Sequence, residues 1–482
     1  MKIYRYSLLL VLTLAVIQPL FCQNKKFDKS LRKIDSRYNA GSFSKANSSL
    51  QSLKKSIIAK MGPQNTYMPG VYIREAHLSL ALGVLDGFDK ALNNALASSL
   101  ATFGENSASY AGTMIDVAGA YNEYGNFRIS REYTAKAKEL LSRTNQLNDQ
   151  LNARIGLVEA EAMTGQGFCN EALALLKTLE PYYAARAVEK ETIVQGGTIK
   201  TQRVPDVEIP KRYSDFAKLL TMTANAYGKK GSLLSADSAF NAAQTWISKN
   251  QKYMGETSLA LVQNNYLYAK MLIDNGNEER EKRLEFDNIL SSLKKKANPT
   301  NQLAHDLYLA YLHQLLVEEN RARYLNTKLE YQKVIDKNFP KGSVFQINLK
   351  AVEFDSKLER DKTKDLEQDA SNLLNSKSLP KNYRTTEHIL NFLFEVAQRE
   401  KRYVNSENYL TQLAGIRKEL YGETSPEYHL AKIRLASFYL DYTNKIDEAQ
   451  KIFDESYTKL VAKEIGAWHK DHLDILNHLA AL

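Results

Sequence analysis

The sequence predicts an all-α solenoid, a stack of helix–turn–helix hairpins, and three observations predict it. Apolar residues recur at helical spacing along most of the chain, in helix-length runs parted by short polar turns. Gly104, Gly255, Gly422 and Gly466 each stand fourteen residues before an alanine: Ala118, Ala269, Ala436 and Ala480. A finer rule holds inside the hairpins. Gly41, Gly125, Gly167 and Gly231 are followed five residues later by Ala46, Ser130, Ala172 and Ala236. The glycine ends one helix in a conformation that costs other residues energy, and the small residue lets the next helix lie close. Self-similarity of this kind marks a repeat architecture whose neighbours share a core.

At 482 residues the chain is too long for a single core, and 44% hydrophobic with 25% charged residues fits neither disorder nor a membrane bundle. Residues 1–22 read as a separate unit. Lys2 and Arg5 precede an apolar run over residues 7–17, which Pro19 breaks before Leu20-Phe21-Cys22-Gln23. That order predicts a secretory signal peptide cleaved before Gln23. The rival reading is a lipid anchor on Cys22, against which bulky Phe21 stands where a small residue is wanted. No later stretch reaches the ~18 uninterrupted apolar residues of a membrane span. The expectation is therefore an exported protein, periplasmic or associated with the cell envelope.

The formal charge of +10 falls to +8 without Lys2 and Arg5. The remaining lysines are scattered among acids, apart from Lys294-Lys295-Lys296, so solvated helix faces are expected rather than a nucleic-acid surface. After cleavage Cys169 is the one remaining thiol, which leaves an exported fold without an internal disulfide and resting on helix packing. Cys169 falls at the turn into an apolar helix and reads as structural.

In chain order the predicted hairpins cover residues 24–60, 66–100, 106–142, 147–181, 213–248, 257–291, 301–337, 343–376, 383–419 and 426–462. A partial unit starts at 468. The tenth is the clearest. Tyr421-Gly422-Glu423-Thr424-Ser425-Pro426 is a turn. Leu430, Ile433, Ala436, Phe438, Tyr439 and Tyr442 then give one apolar helix face, and Ile446, Ala449, Ile452, Phe453, Tyr457 and Leu460 the next. One stretch breaks the rhythm. Residues 185–212 carry two β-prone runs around Gly196-Gly197, then Pro205 and Pro210, and read as a β-hairpin or a loop. This divides the chain into a signal peptide (1–22), an N-terminal array (23–184), the insertion (185–212) and a C-terminal array (213–482). The last array reads as cut short, since residues 468–482 form a first helix with no second.

No phosphate loop, dinucleotide fingerprint, nucleophile elbow or helical zinc-protease motif is present. His469, His472 and His478 are the tempting metal cluster, because histidines three apart share a helix face. His77, His305, His313, His388 and His429 stand alone in sequence and read as surface or interhelical residues. The expectation is no catalytic residue, no cofactor and no metal.

The repeat letters resemble those of the tetratricopeptide repeat (TPR). One unit reads Ala118, Tyr121, Gly125, Ser130 and Ala137. Another reads Ala224, Tyr227, Gly231, Ala236, Phe240 and Ala243. The Gly-Glu prefix and a period near 42 are similar to the longer, kinesin-light-chain-like variety. Departures are the missing helix-A Trp, and Glu281 and Glu285 where Ala and an aromatic are usual. The resemblance implies a right-handed superhelix whose concave face, lined by helix A, grips a protein or peptide. Its inward positions fall on Ile115, Gly119 and Asn122; Thr221, Asn225 and Gly228; Tyr266, Lys270 and Ile273; Ile433, Ser437 and Leu440. Asn122, Asn225, Tyr266, Lys270, Ser437 and, on the last helix, Asn477 are the groove candidates. The expected function is an exported scaffold. The alternative is the sensor half of a longer protein with a peptidase or kinase output domain beyond residue 482.

Overall fold

The structure is a computed structural model that describes residues 24–195, 198–206, 208–255, 258–274, 286–296, 302–358, 363–466, 469 and 471–482. The leader lies outside the described residues, as do Gly276, Glu281 and Glu285. Helices fill the chain in pairs. The first four hairpins are α1 (Lys25–Asn39) with α2 (Phe43–Met61), α3 (Met68–Leu82) with α4 (Phe88–Phe103), α5 (Ala108–Tyr124) with α6 (Phe127–Arg143), and α7 (Asp149–Gln166) with α8 (Cys169–Arg186). Strands β1 (Lys190–Gln195) and β2 (Thr198–Arg203) pair antiparallel, with Lys190 opposite Arg203.

Hairpins resume with α9 (Ile209–Lys230) and α10 (Leu233–Asn250), then α11 (Ala260–Asp274) and α12 (Phe286–Lys296). The seventh is α13 (Gln302–Val317) with α14 (Arg321–Asn338), and the eighth α15 (Val344–Leu358) with α16 (Thr363–Leu374). The ninth is α17 (Arg384–Arg399) with α18 (Tyr403–Tyr421). The tenth is α19 (Pro426–Tyr442) with α20 (Ile446–Phe453), which runs on as a π-helix over Asp454–Val461. A final helix, α21 (His472–Ala481), follows. No helix among the described residues is long and apolar enough to cross a membrane.

The letters of the repeat do in space what their chemistry demands. Gly125, at φ 95°, closes α5 by donating to the carbonyls of Tyr121 and Asn122. Ala46, Ser130, Ala172 and Ala236 are fully buried where paired helices cross. In the fifth hairpin Ala236 packs with Ala224 and Phe240, and Tyr227 covers them. Where a turn lacks glycine the backbone still takes the left-handed conformation, at Glu319 (φ 54°) and Lys401 (φ 55°).

The array closes on itself. The Val344 N–H, at the start of the eighth hairpin, donates to the Gly83 carbonyl in the turn of the second, 2.9 Å away. Tyr124, ending α5 in the third, donates its hydroxyl to the Asn382 carbonyl (3.2 Å), just before the ninth. Gln166, ending α7 in the fourth, donates to the Tyr421 carbonyl, and Pro426 of the tenth rests against Gly167. The Gly466 N–H, ahead of α21, donates to the Lys230 carbonyl in the turn of the fifth. Second meets eighth, third ninth, fourth tenth and fifth eleventh, so the superhelix comes round about once every six hairpins. One apolar cluster accordingly joins Phe27–Leu85 residues of the first two hairpins to residues from Val262 to Val396. Buried apolar area of this extent is the main stabilising term of such a fold.

Candidate functional site

Where the fifth and sixth hairpins face the ninth, the tenth and the last helix they leave a cavity of about 570 Å³. Its walls are stripes on helices whose caps fix their phase. Helix α19 begins where the Ser425 hydroxyl accepts from the Tyr428 N–H (3.2 Å), with Pro426 in the first turn. It then presents Glu427, Leu430, Ala431, Arg434 and Ser437 along one face. Opposite stand Asn225, Gly228 and Lys229 of α9, with Leu267, Lys270, Met271 and Asp274 of α11. Leu410, Leu413 and Arg417 of α18 form the third side, and Asp471, Asp474 and Ile475 the fourth. Gly228 holds α9 against α11: a Cβ there would meet Met271 Cγ at 2.6 Å.

Most charges around the cavity are paired. Lys270 bonds Asp274 at 2.7 Å, Lys229 bonds Glu427 at 3.4 Å, and Arg417 bonds Glu387 at 3.1 Å. Tyr421 also donates to Glu387 (3.3 Å). Burial drives the Glu387 carboxyl above the usual range, against the pull of Arg417. Arg434 differs. Among the described residues it makes no ion pair; its guanidinium donates to Asn391 and sits 4.9 Å from the Phe394 ring centre. Burial and the Arg417 charge both push it below the ordinary guanidinium value. Three residues on, the Ser437 hydroxyl is buried without a hydrogen-bond partner. Both residues line a space large enough for several atoms of a ligand, and an unsatisfied buried donor costs free energy.

Of the residues expected in the groove, Asn225, Lys270 and Ser437 line this cavity. Asn122 does not: it is buried and its amide donates to the Val158 carbonyl at 2.9 Å, tying α5 to α7. Tyr266 is buried in the large apolar cluster, and burial raises its phenol far above the usual value. Asn477 is exposed on α21, away from the cavity lining. Counting along helix A placed Arg434 one residue from the inward position Ile433, so the count missed it.

The histidines also rearrange. On α21, His478 bonds Asp441 (3.2 Å) and the Asp474 carbonyl (2.8 Å), so its ring is taken up by packing between α19 and α21. His313 and His388, solitary in the sequence, instead come together around Asp355.

Hairpin geometry, glycine-marked turns and small residues at the crossings define a TPR-like repeat protein, an all-α solenoid. The chain is similar in part to the TPR domain of P58(IPK), at 15% identity over 90% of this chain and 100% of that one, with a TM-score of 0.20. No family model and no curated protein matches the sequence.

Proposed function

We propose that this protein is an exported scaffold that grips a peptide segment carrying a carboxylate in the cavity between α9, α11 and α19. The observation that carries the reading is the pair on α19: an arginine that makes no ion pair among the described residues and a serine whose buried hydroxyl has no hydrogen-bond partner, both residues lining the same cavity. Arg434 would fork onto the carboxylate, as guanidinium groups do. Asn225 and Ser437 are placed to bond its backbone, and Leu267, Leu430 and Ile475 to cover its apolar atoms. The test is selection of binders from a displayed random-peptide library by the wild type, Arg434→Gln and Ser437→Phe. Enrichment of acidic peptides by the wild type alone is expected. Equal enrichment by Ser437→Phe, which fills the cavity, would overturn the reading.

Export rests on residues 1–22, whose basic start, apolar run and Pro19 have the order of a cleaved leader. N-terminal sequencing of the protein from an envelope fraction is expected to begin at Gln23. An intact Met1 would refute it, and a diacylglycerol on Cys22 would replace release by anchoring.

A further inference from the structure

His313, Asp355 and His388 lie 42 and 33 residues apart, a spacing that matches no ligand motif. They meet because each belongs to helix A of a successive hairpin, α13, α15 and α17, which a solenoid sets side by side. The His388 Nε2 is 3.0 Å from Asp355 Oδ2, and His313 Nδ1 is 3.6 Å from the same oxygen. One ligand atom from each residue lies within 4.8 Å of the other two. The decisive detail is orientation. Asp355 Oδ2 and His388 Nε2 are both buried and 3.0 Å apart, an ion-pair distance at which neither makes a well-aligned hydrogen bond. They stand as two neighbours of a third atom would stand.

We propose that His313, Asp355 and His388 bind one first-row divalent metal ion, with Zn²⁺ as the reference ion. Two ligands each about 2.1 Å from such an ion are about 3.0–3.4 Å apart at octahedral or tetrahedral angles, which brackets the closer Asp355 contact and approaches the other. Two imidazoles and one carboxylate suit a borderline ion rather than Ca²⁺ or Mg²⁺, which take oxygen shells. The His313 side chain keeps 42% of its exposure, so its ring has freedom to swing onto the ion and the site has an entrance. Nearby Lys270, whose charge would oppose an ion, is neutralised by Asp274 at 2.7 Å. Three protein ligands leave coordination positions for water or for a carboxylate.

The test uses the full chain, stripped with chelator and titrated calorimetrically with ZnCl₂ near neutral pH. One saturable site per chain is expected, and Zn²⁺ should raise the thermal midpoint. His313→Gln, Asp355→Asn and His388→Gln should each weaken binding about 10–100-fold, whereas His478→Gln should not. Co²⁺ should give a visible d–d spectrum in the wild type that the three variants lose. Circular dichroism of the metal-free variants checks folding. If Asp355→Asn does not fold, the two histidine variants decide. Absence of saturable binding at about 1 mM Zn²⁺ (a Kd weaker than roughly −4 kcal/mol) would overturn the proposal, as would a site that survives in the variants.

Discussion

The superhelix meets itself along one seam, and its two ends are built differently. At the second and third hairpins it is sealed by rings and backbone. Phe345 is almost fully buried against Gly83, stacks on His305 at 3.7 Å and packs on Phe339, while Tyr124 rests on Tyr383 at 5.2 Å. At the fifth and tenth hairpins the facing residues include the short or polar Asn225, Gly228, Ala431 and Ser437, and a cavity remains. The same turn-to-start contact recurs at both ends, through Val344 N–H to Gly83 and through Gly466 N–H to Lys230. Side-chain volume, not a change of architecture, therefore decides whether the seam is closed or holds a ligand. Dense packing leaves few voids by accident, so a large one lined by both polar and apolar side chains is informative.

The largest expected effect is at the sealed end. A Cβ on Gly83 would lie 2.8 Å from Phe345 Cδ2, and φ is +66° there. Gly83→Ala should cost roughly 2–4 kcal/mol, from backbone strain plus a clash with a ring that cannot move. Gly104, at φ +81°, has nothing within 4 Å of its missing Cβ, so Gly104→Ala should cost only about 1 kcal/mol. Urea unfolding of both variants measures the difference, and equal costs would mean that the seam adds nothing at Gly83.

A smaller loss is expected on the cavity side. Ala236 is fully buried where α9 and α10 cross, beside Phe240. Ala236→Leu overpacks that crossing by about 1–3 kcal/mol. Because α9 carries Asn225 and Gly228, the same change should weaken peptide capture. Wild-type stability and capture together would show that the crossing relaxes without moving the wall.

These contrasts indicate how far the sequence could be read. Hairpins marked by Gly-to-small spacing, such as Gly125/Ser130 and Gly231/Ala236, were legible because φ and close packing are local demands. Of the positions chosen by helix phase, Asn225, Lys270 and Ser437 line the cavity. Asn122 and Tyr266 are instead buried, because the superhelix is tight enough to bury positions an open groove would expose. Closure every six hairpins depends on the small rotation between repeats, which no letter encodes by itself. For the same reason His313, Asp355 and His388 looked solitary: their meeting is a product of stacking. Turns at Glu319 and Lys401 carried no glycine to announce them.

A pH series separates the two ends further. Near the sealed end His77 of α3 bonds Glu123 of α5 at 2.8 Å, whereas the pairs around the cavity join lysine or arginine to carboxylates. Burial alone would lower the His77 value, but Glu123 outweighs it and the net direction is up. Burial would likewise raise Glu123, and His77 brings it below the usual 4.5. A raised histidine contributes stability that is complete below 6.5 and fades as pH rises through its folded value. A lowered glutamate contributes above 4.5 and loses it as pH falls. The pair should therefore help most between 4.5 and 6.5. The difference in thermal midpoint between wild type and His77→Gln is expected to peak in that window, and a pH-independent difference would remove charge from the account.

The smallest predicted effect is a gain, and it probes a turn next to the seam. Lys401 ends α17 at φ 55°, its N–H donating to the Gln398 carbonyl (3.0 Å) while the Arg402 N–H reaches Ala397 (2.8 Å). That pattern is the one in which glycine is usual, because a Cβ is strained in the left-handed region. Lys401→Gly should relieve the strain but raise the conformational entropy of the unfolded chain, leaving a net gain of about 0.5–1 kcal/mol. The side chain offers little to lose, since among the described residues Lys401 makes no ion pair and is exposed. Neighbouring Arg402, bonded to Glu367 at 2.7 Å, must be left in place, for it ties α18 to α16. A midpoint in urea that rises with unchanged slope would identify the gain as strain relief. A fall would mean that the turn of the ninth hairpin is held by its lysine after all, and that its left-handed residue is there by demand of the helices rather than by tolerance.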